Sequence, residues 1–191
     1  MIRRGIFAVV SILSLVGCSA STAFFRQGQS AMAAGDYDRA AQAFSLALVE
    51  NPQHIGALTS LGIAYYRREG FEAAIDALER AEAIAPDEPS IRLYLGLAYL
   101  RQGQLDVAHQ YLAAFLERTR NRTIAEHTLR TLAVLKEATL PESLRDYIAY
   151  SQETAVQQEQ RLQALREQVR ALEAERSFRR YPLVLRRSRA R

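Results

Sequence analysis

The stretch AYYRREGFEAAIDALERAEAIAP, residues 64–86, decides the fold because related copies lie on both sides of it. AYLRQGQLDVAHQYLAAFLERTR follows at residues 98–120, and SAMAAGDYDRAAQAFSLALVENP precedes at residues 30–52. The copies thus recur at a fixed period, and a constant spacing of this kind indicates a repeat architecture. Five columns recur at the same spacing: Gly28, Gly62 and Gly96; Ala40, Ala74 and Ala108; Ala31, Tyr65 and Tyr99; Phe44, Leu78 and Leu112; Ala47, Ala81 and Phe115.

These columns resemble the tetratricopeptide repeat, a family whose unit is helix A, a turn and helix B. The resemblance covers residues 21–122 and predicts three units, at 21–54, 55–88 and 89–122. It implies an all-α solenoid in which the glycine column lets helix A press closely on helix B. We expect the turns to use three further glycines, which tolerate positive φ. These are Gly35, Gly70 and Gly103.

A helix that caps the open end of the solenoid is predicted at residues 123–138, after the third repeat. Thr123 and Glu126 have the spacing of a capping box, and an apolar face continues behind them. A stack of repeats needs such a cap because its last apolar face would otherwise meet water.

A long helix is predicted at residues 141–180, beginning near Pro141. Its apolar residues follow a heptad pattern typical of a helix that packs along another helix. The partner is open at this point: a second copy in either orientation, a different protein, or the chain's own repeats. The heptad positions are Leu144, Ile148, Ala155, Leu162, Leu165, Val169 and Leu172.

The start of the chain has the layout of a secretory signal peptide at residues 1–17: a positive segment, then a mostly apolar run. Leu15-Val16-Gly17-Cys18 resembles the lipobox of bacterial lipoproteins. That resemblance implies cleavage before Cys18, a covalent lipid on its sulfur, and a lipidated amino terminus at residues 18–20. By resemblance to enterobacterial lipoprotein sorting, Ser19 after the cysteine favours the outer membrane, with the protein facing the periplasm.

Charge is distributed unevenly along the chain. Residues 18–175 hold 16 basic and 21 acidic residues, a net of −5, whereas residues 176–191 hold seven arginines and no acid. We interpret residues 181–191 as a flexible arginine-rich tail, with contact to anionic lipid headgroups as the functional alternative. Nucleic acid is not an expected partner, because the predicted export takes the protein out of the compartment that contains nucleic acid.

The sequence offers no pattern typical of catalysis, and we expect no enzyme. A single cysteine excludes a disulfide framework and a cysteine-based zinc site within one chain. The three histidines are not spaced as ligands on one helical turn, and no glycine-rich loop joins a strand to a helix. We therefore expect no catalytic residue, no metal and no cofactor besides the covalent lipid on Cys18.

A binding surface remains as the expected site. In the tetratricopeptide repeat family, ligands lie in the concave groove lined by the A helices, and the matching positions here are largely apolar. Such a groove suits an amphipathic helix, from a partner protein, from a subunit of an envelope complex, or from the chain's own segment 144–172. The predicted groove residues are Phe25, Gln29, Met32, Thr59, Ile63, Tyr66, Leu93, Leu97 and Leu100.

The sequence thus predicts a periplasmic, membrane-anchored lipoprotein that acts as a docking scaffold or adaptor in cell-envelope assembly. The alternative is a structural protein that oligomerises through its C-terminal coiled coil and holds the envelope with its basic tail.

Overall fold

The computed structural model describes residues 20–136 and 139–180. Those residues form helices and turns, with no strand among them, so the all-α prediction is confirmed. The helices are α1 (20–33), α2 (Tyr37–Glu50), α3 (Ile55–Arg67), α4 (Phe71–Ile84), α5 (Pro89–Arg101), α6 (Leu105–Arg118), α7 (Arg122–Val134) and α8 (Glu142–Arg180).

Each repeat is a hairpin of two helices, and the glycine column explains how closely the pairs pack. A Cβ atom added to Gly62 would lie 2.5 Å from Cγ of Leu78, and one added to Gly96 would lie 2.8 Å from Cγ of Leu112. At Gly28 the same atom would collide with the ring of Phe44. The glycine of helix A therefore gives space to the large residue of helix B in all three repeats, as the spacing predicts.

Polar side chains cap several helices and fix where they begin. Asp36 accepts a hydrogen bond from the backbone N–H of Arg39 at 3.0 Å and so caps α2. Asn121 caps α7 in the same way, accepting from the N–H of Ile124 at 3.1 Å. The predicted capping box at Thr123 and Glu126 is therefore wrong, because the chain already turns helical at Arg122.

The turns inside the repeats differ from the predicted set at one position. Gly35 and Gly103 have positive φ, 76° and 81°, but in the second repeat the positive value, 61°, belongs to Glu69. Gly70 has φ −85° and caps α4. The residues with a left-handed backbone, at 35, 69 and 103, are thus spaced by the repeat period. In the second repeat the glycine lies one position later, at residue 70.

This difference predicts unequal effects for two similar substitutions. Gly35→Ala should lower the free energy of unfolding by about 1 kcal/mol, because its Cβ meets open space and only the left-handed backbone is penalised. Gly70→Ala should change it by less than about 0.5 kcal/mol, since its backbone suits any residue and its Cβ makes an ordinary contact. Urea denaturation of the two variants measures the difference; equal losses would contradict the turn assignment.

The chain forms two compact units, one through Ala149 and one from Tyr150 onward. In the first unit α7 follows the repeats and packs on α6, burying Ile124, Leu132 and Leu135, whereas Leu129 faces solvent. The second unit is the continuation of α8. There the heptad residues Leu162, Leu165, Val169 and Leu172 are between 46% and 59% exposed.

Candidate functional site

The predicted groove is built from α1, α3 and α5, the A helices of the three repeats. Its residues do not share one environment. They divide into side chains that hold the helices together and side chains that are open to a partner.

In the first repeat, Phe25 contributes mainly to packing. Its ring centroid lies 5.7 Å from that of Phe44 on α2 and 4.7 Å from that of His54, the residue that caps α3. Gln29 is exposed and Met32 is half-buried beside the core. The open surface of α1 is therefore at Gln29 and Met32.

In the second repeat, Thr59 and Ile63 are half-buried on α3, and Tyr66 is buried. The ring of Tyr66 meets that of Tyr94 edge-on, with 5.5 Å between centroids, and lies 5.9 Å from that of Phe71. Tyr66 thus joins the second repeat to the third. Ile63 continues the open surface of α1, whereas the hydroxyl oxygen of Thr59 is buried.

In the third repeat, Leu93, Leu97 and Leu100 are 2%, 0% and 0% exposed, so none of them offers a surface to a partner in this structure. The physical reason lies in α5, where apolar residues occur on all sides and Leu93, Leu95 and Leu97 are buried together. A helix that is apolar all round is buried rather than amphipathic. The predicted groove positions on α5 come from the family, and that prediction does not take into account that α5 is apolar on all sides.

A charged cluster that the sequence analysis missed lies at the end of α5. Nε of Arg101 lies 2.7 Å from Oδ1 of Asp146, in the first turns of α8, and one of its terminal nitrogens lies 3.2 Å from Oε1 of Glu69. The guanidinium also sits 4.8 Å from the ring centre of Phe71, a cation–π contact. Arg101 thereby holds residues 142–149 of α8 against the second and third repeats.

The sequence repeats the two residues of this cation–π contact one repeat period earlier. Arg67 occurs one repeat period before Arg101, and Tyr37 occurs one period before Phe71. In the structure Arg67 lies 5.8 Å from the ring centre of Tyr37, so the same cation–π contact joins the first repeat to the second.

The remaining expectations concern metals, membranes and the ends of the chain. Among the residues that the structure describes, no group of His, Cys, Asp and Glu could hold a metal ion. No helix in that part of the chain is long and apolar enough to span a membrane. Cys18 and the tail at 181–191 lie outside the described residues. The lipid and the tail's contacts therefore stay predictions.

Comparison with known families agrees with this geometry. Family models of the tetratricopeptide repeat match residues 21–54 and 59–123. The chain belongs to the tetratricopeptide repeat family. A curated relative, the CTR9 homolog of Arabidopsis thaliana, is 34% identical to this tetratricopeptide repeat chain over 85 residues. That match covers 44% of this chain but only 8% of the relative's length.

Solved structures with the same fold include two that hold peptides. The first tetratricopeptide repeat domain of Spaghetti (RPAP3), bound to an HSP90 peptide, matches with a TM-score of 0.58 and 21% identity, covering 62% of this chain and 98% of that domain. The Yersinia enterocolitica secretion chaperone SycD, in complex with a peptide of the translocator YopD, matches at 0.56 and 18%, covering 61% and 94%.

Tetratricopeptide repeat proteins mediate protein–protein interactions as scaffolds or chaperones, and this chain has that interaction fold. The fold is typically non-catalytic, although some proteins that contain it are enzymes.

Proposed function

We propose that this tetratricopeptide repeat protein is a docking scaffold that binds a helical segment of a partner protein along α1 and α3. The observation that carries the proposal is the surface formed by Gln29, which is exposed, and by Met32 and Ile63, which are half-buried, on neighbouring A helices. A surface of this kind suits the apolar face of an amphipathic helix. The peptides held by RPAP3 and SycD support binding of a partner segment.

The cellular setting belongs to the same proposal. A lipid on Cys18 would anchor the protein in a bacterial membrane, facing the periplasm and in the outer rather than the inner membrane. The arginine tail would contact anionic headgroups there. The support is the lipobox resemblance, the signal-peptide layout and the seven arginines of residues 176–191. The scaffold would act in the assembly of an envelope complex.

A charge placed in the groove tests the docking surface. Ile63→Asp should reduce copurification of crosslinked partner proteins from membrane fractions at least about tenfold, because a carboxylate facing an apolar partner loses its water without gaining a hydrogen bond. Leu129→Asp is the matched control, since Leu129 is exposed on α7, outside the groove. Mass spectrometry compares the two variants with the wild-type chain. The same partners in the same amounts with Ile63→Asp would refute docking along α3.

A second candidate function is structural, with α8 as an oligomerisation helix. It is favoured by the exposure of Leu162, Leu165, Val169 and Leu172, which repeat at coiled-coil spacing. The full chain would then be an oligomer in solution, and Leu165→Glu with Val169→Glu would convert it to a monomer. Light scattering measures the mass of both proteins, and a monomeric wild-type chain would exclude this function.

A further inference from the structure

The second unit of the chain carries one apolar strip along an otherwise polar stretch of α8. Its four side chains are between 46% and 59% exposed. All residues from 160 to 176 are exposed, so no part of the second unit that the structure describes covers the strip. We call this set the α8 strip; it consists of Leu162, Leu165, Val169 and Leu172.

The α8 strip reads the same in both directions, because its spacings are three, four and three residues. A second copy of the chain can therefore cover it in a parallel or an antiparallel orientation. In a parallel pair each residue of the strip lies opposite its own copy. In an antiparallel pair Leu162 lies opposite Leu172 of the second copy, and Leu165 lies opposite Val169. All of these contacts are apolar, so the charges around the strip must set the orientation.

The heptad positions directly beside the strip favour the antiparallel orientation. They are Gln158 before the strip and Arg176 after it, and both are exposed. In a parallel pair Arg176 would face Arg176 of the second copy at the centre of the interface, where like charges repel. In an antiparallel pair each Arg176 faces Gln158, whose amide oxygen accepts a hydrogen bond from the guanidinium.

The two flanks of the strip differ in what they contribute. On one flank a parallel pair would place Arg161 against Arg166 of the second copy, whereas an antiparallel pair places Arg161 against Glu175. On the other flank of an antiparallel pair Glu159 lies near Glu173, and Arg166 lies near its own copy. The ion pair of 3.2 Å between Arg166 and Glu159 of one chain reduces that cost.

The arginine-rich segment gives the strongest preference. Residues 176–191 hold seven arginines and no acid, and a parallel pair would bring two such segments together where they begin. In an antiparallel pair the two Arg176 residues lie 18 residues apart along the helix axis, since each is level with Gln158. That separation is about 27 Å, well beyond the screening length of about 8 Å at physiological salt. Each arginine-rich segment then begins beside residues 150–160 of the other copy, which hold two glutamates and no basic residue.

We propose that the α8 strip is covered by the α8 strip of a second copy of this chain, in the antiparallel orientation. The proposal rests on the oligomerisation function of α8 and names the partner and its orientation. The protein would then be a dimer that carries two copies of the docking surface on α1 and α3.

Disulfide mapping on the full chain tests the orientation. Cys18→Ser removes the only native thiol, and Gln158→Cys with Arg176→Cys leaves the whole strip in place. Mild oxidation should link position 158 to position 176 of the second copy, because facing core positions come within the reach of a disulfide. Within one chain the two positions are about 27 Å apart and cannot pair. Gln160→Cys with Ala174→Cys, at matching levels on the outer face, is the control and should give at least about tenfold fewer disulfides.

A charge exchange provides a second test that needs no oxidation. Arg161→Glu should weaken the dimer at least about fivefold, because the new carboxylate faces Glu175 of the second copy. Adding Glu175→Arg should restore the affinity. In a parallel pair Arg161→Glu would instead strengthen the dimer, because it would face Arg166. Sedimentation equilibrium measures the three dissociation constants.

The outcomes separate the orientation from the oligomerisation function. Disulfides that join position 158 to 158 and position 176 to 176, or a stronger dimer with Arg161→Glu, overturn the antiparallel pairing and leave oligomerisation intact. A dimer that forms no more disulfides than the control shows that the strip is not the interface and also overturns the proposal. A monomeric wild-type chain in light scattering overturns both.

Discussion

Replacing Gly62 with valine is expected to lower the free energy of unfolding by about 2–3 kcal/mol. The new Cβ would lie 2.5 Å from Cγ of Leu78, a fully buried side chain, and 3.2 Å from the carbonyl oxygen of Ala74. The leucine has no free space to move into, and the carbonyl belongs to the backbone of α4. The helices of the second repeat must therefore separate, and both neighbouring repeats lose contact with them.

A double-mutant cycle isolates this steric cause. Leu78→Ala alone should cost about 2–5 kcal/mol, because it leaves a cavity in the core. The double variant Gly62→Val, Leu78→Ala should cost less than the sum of the two single variants by at least about 1 kcal/mol, since the valine then occupies the space that the leucine vacates. Urea denaturation followed by circular dichroism gives the three values. Simple additivity would show that the two residues do not compete for space.

Cys18→Ser is expected to abolish the lipid anchor. Each buried methylene of an acyl chain contributes about 0.8 kcal/mol, so two or more chains hold a protein stably where a single chain binds reversibly. A serine hydroxyl cannot replace the thiol that the lipobox resemblance identifies as the acceptor. The variant should take up no radioactive palmitate and should accumulate as the uncleaved precursor.

The control for this experiment is Ser19→Ala, which leaves the cysteine in place and should be labelled and cleaved as wild type is. A Cys18→Ser chain that is still processed and still sediments with membranes would refute the lipid anchor. It would leave the docking proposal intact, because that proposal rests on α1 and α3.

The repeat period predicts the fold well because the residues that recur are pairs that pack against each other at close range. Gly62 and Leu78 recur one period later as Gly96 and Leu112, and the close packing of each pair forces a helical hairpin at the same place in every unit. A pattern of this kind depends on few residues and tolerates changes elsewhere. The long α8 follows similarly from an uninterrupted run without glycine or proline between Pro141 and Pro182.

Residue type alone gives the wrong position for the second turn. It favours Gly70, whereas the repeat period that relates Gly35 to Gly103 points to Glu69, the residue that adopts positive φ. A single polar contact could not be predicted from the period. Asn121 is the N-cap of α7 and accepts from the N–H of Ile124, so Thr123 already lies inside the helix.

The groove shows most clearly what the repeat positions of the family do not predict. The family's ligand positions place Leu93, Leu97 and Leu100 on a surface, but the local sequence of α5 is apolar on all sides and these leucines are buried. The salt bridge from Arg101 to Asp146 joins two positions that the repeat period does not relate.

The central claim is that the A-helix surface of α1 and α3 docks a partner protein, and crosslinking from that surface tests it most directly. The photoreactive residue p-benzoylphenylalanine would be placed at Gln29, which is exposed beside Met32, and, as a control, at Leu129 on α7. After irradiation of intact cells, we predict one discrete protein adduct from position 29, its loss when Ile63→Asp is added, and no such adduct from position 129. An equal yield of the adduct from both positions, or an adduct at position 29 that persists with Ile63→Asp, would contradict the account.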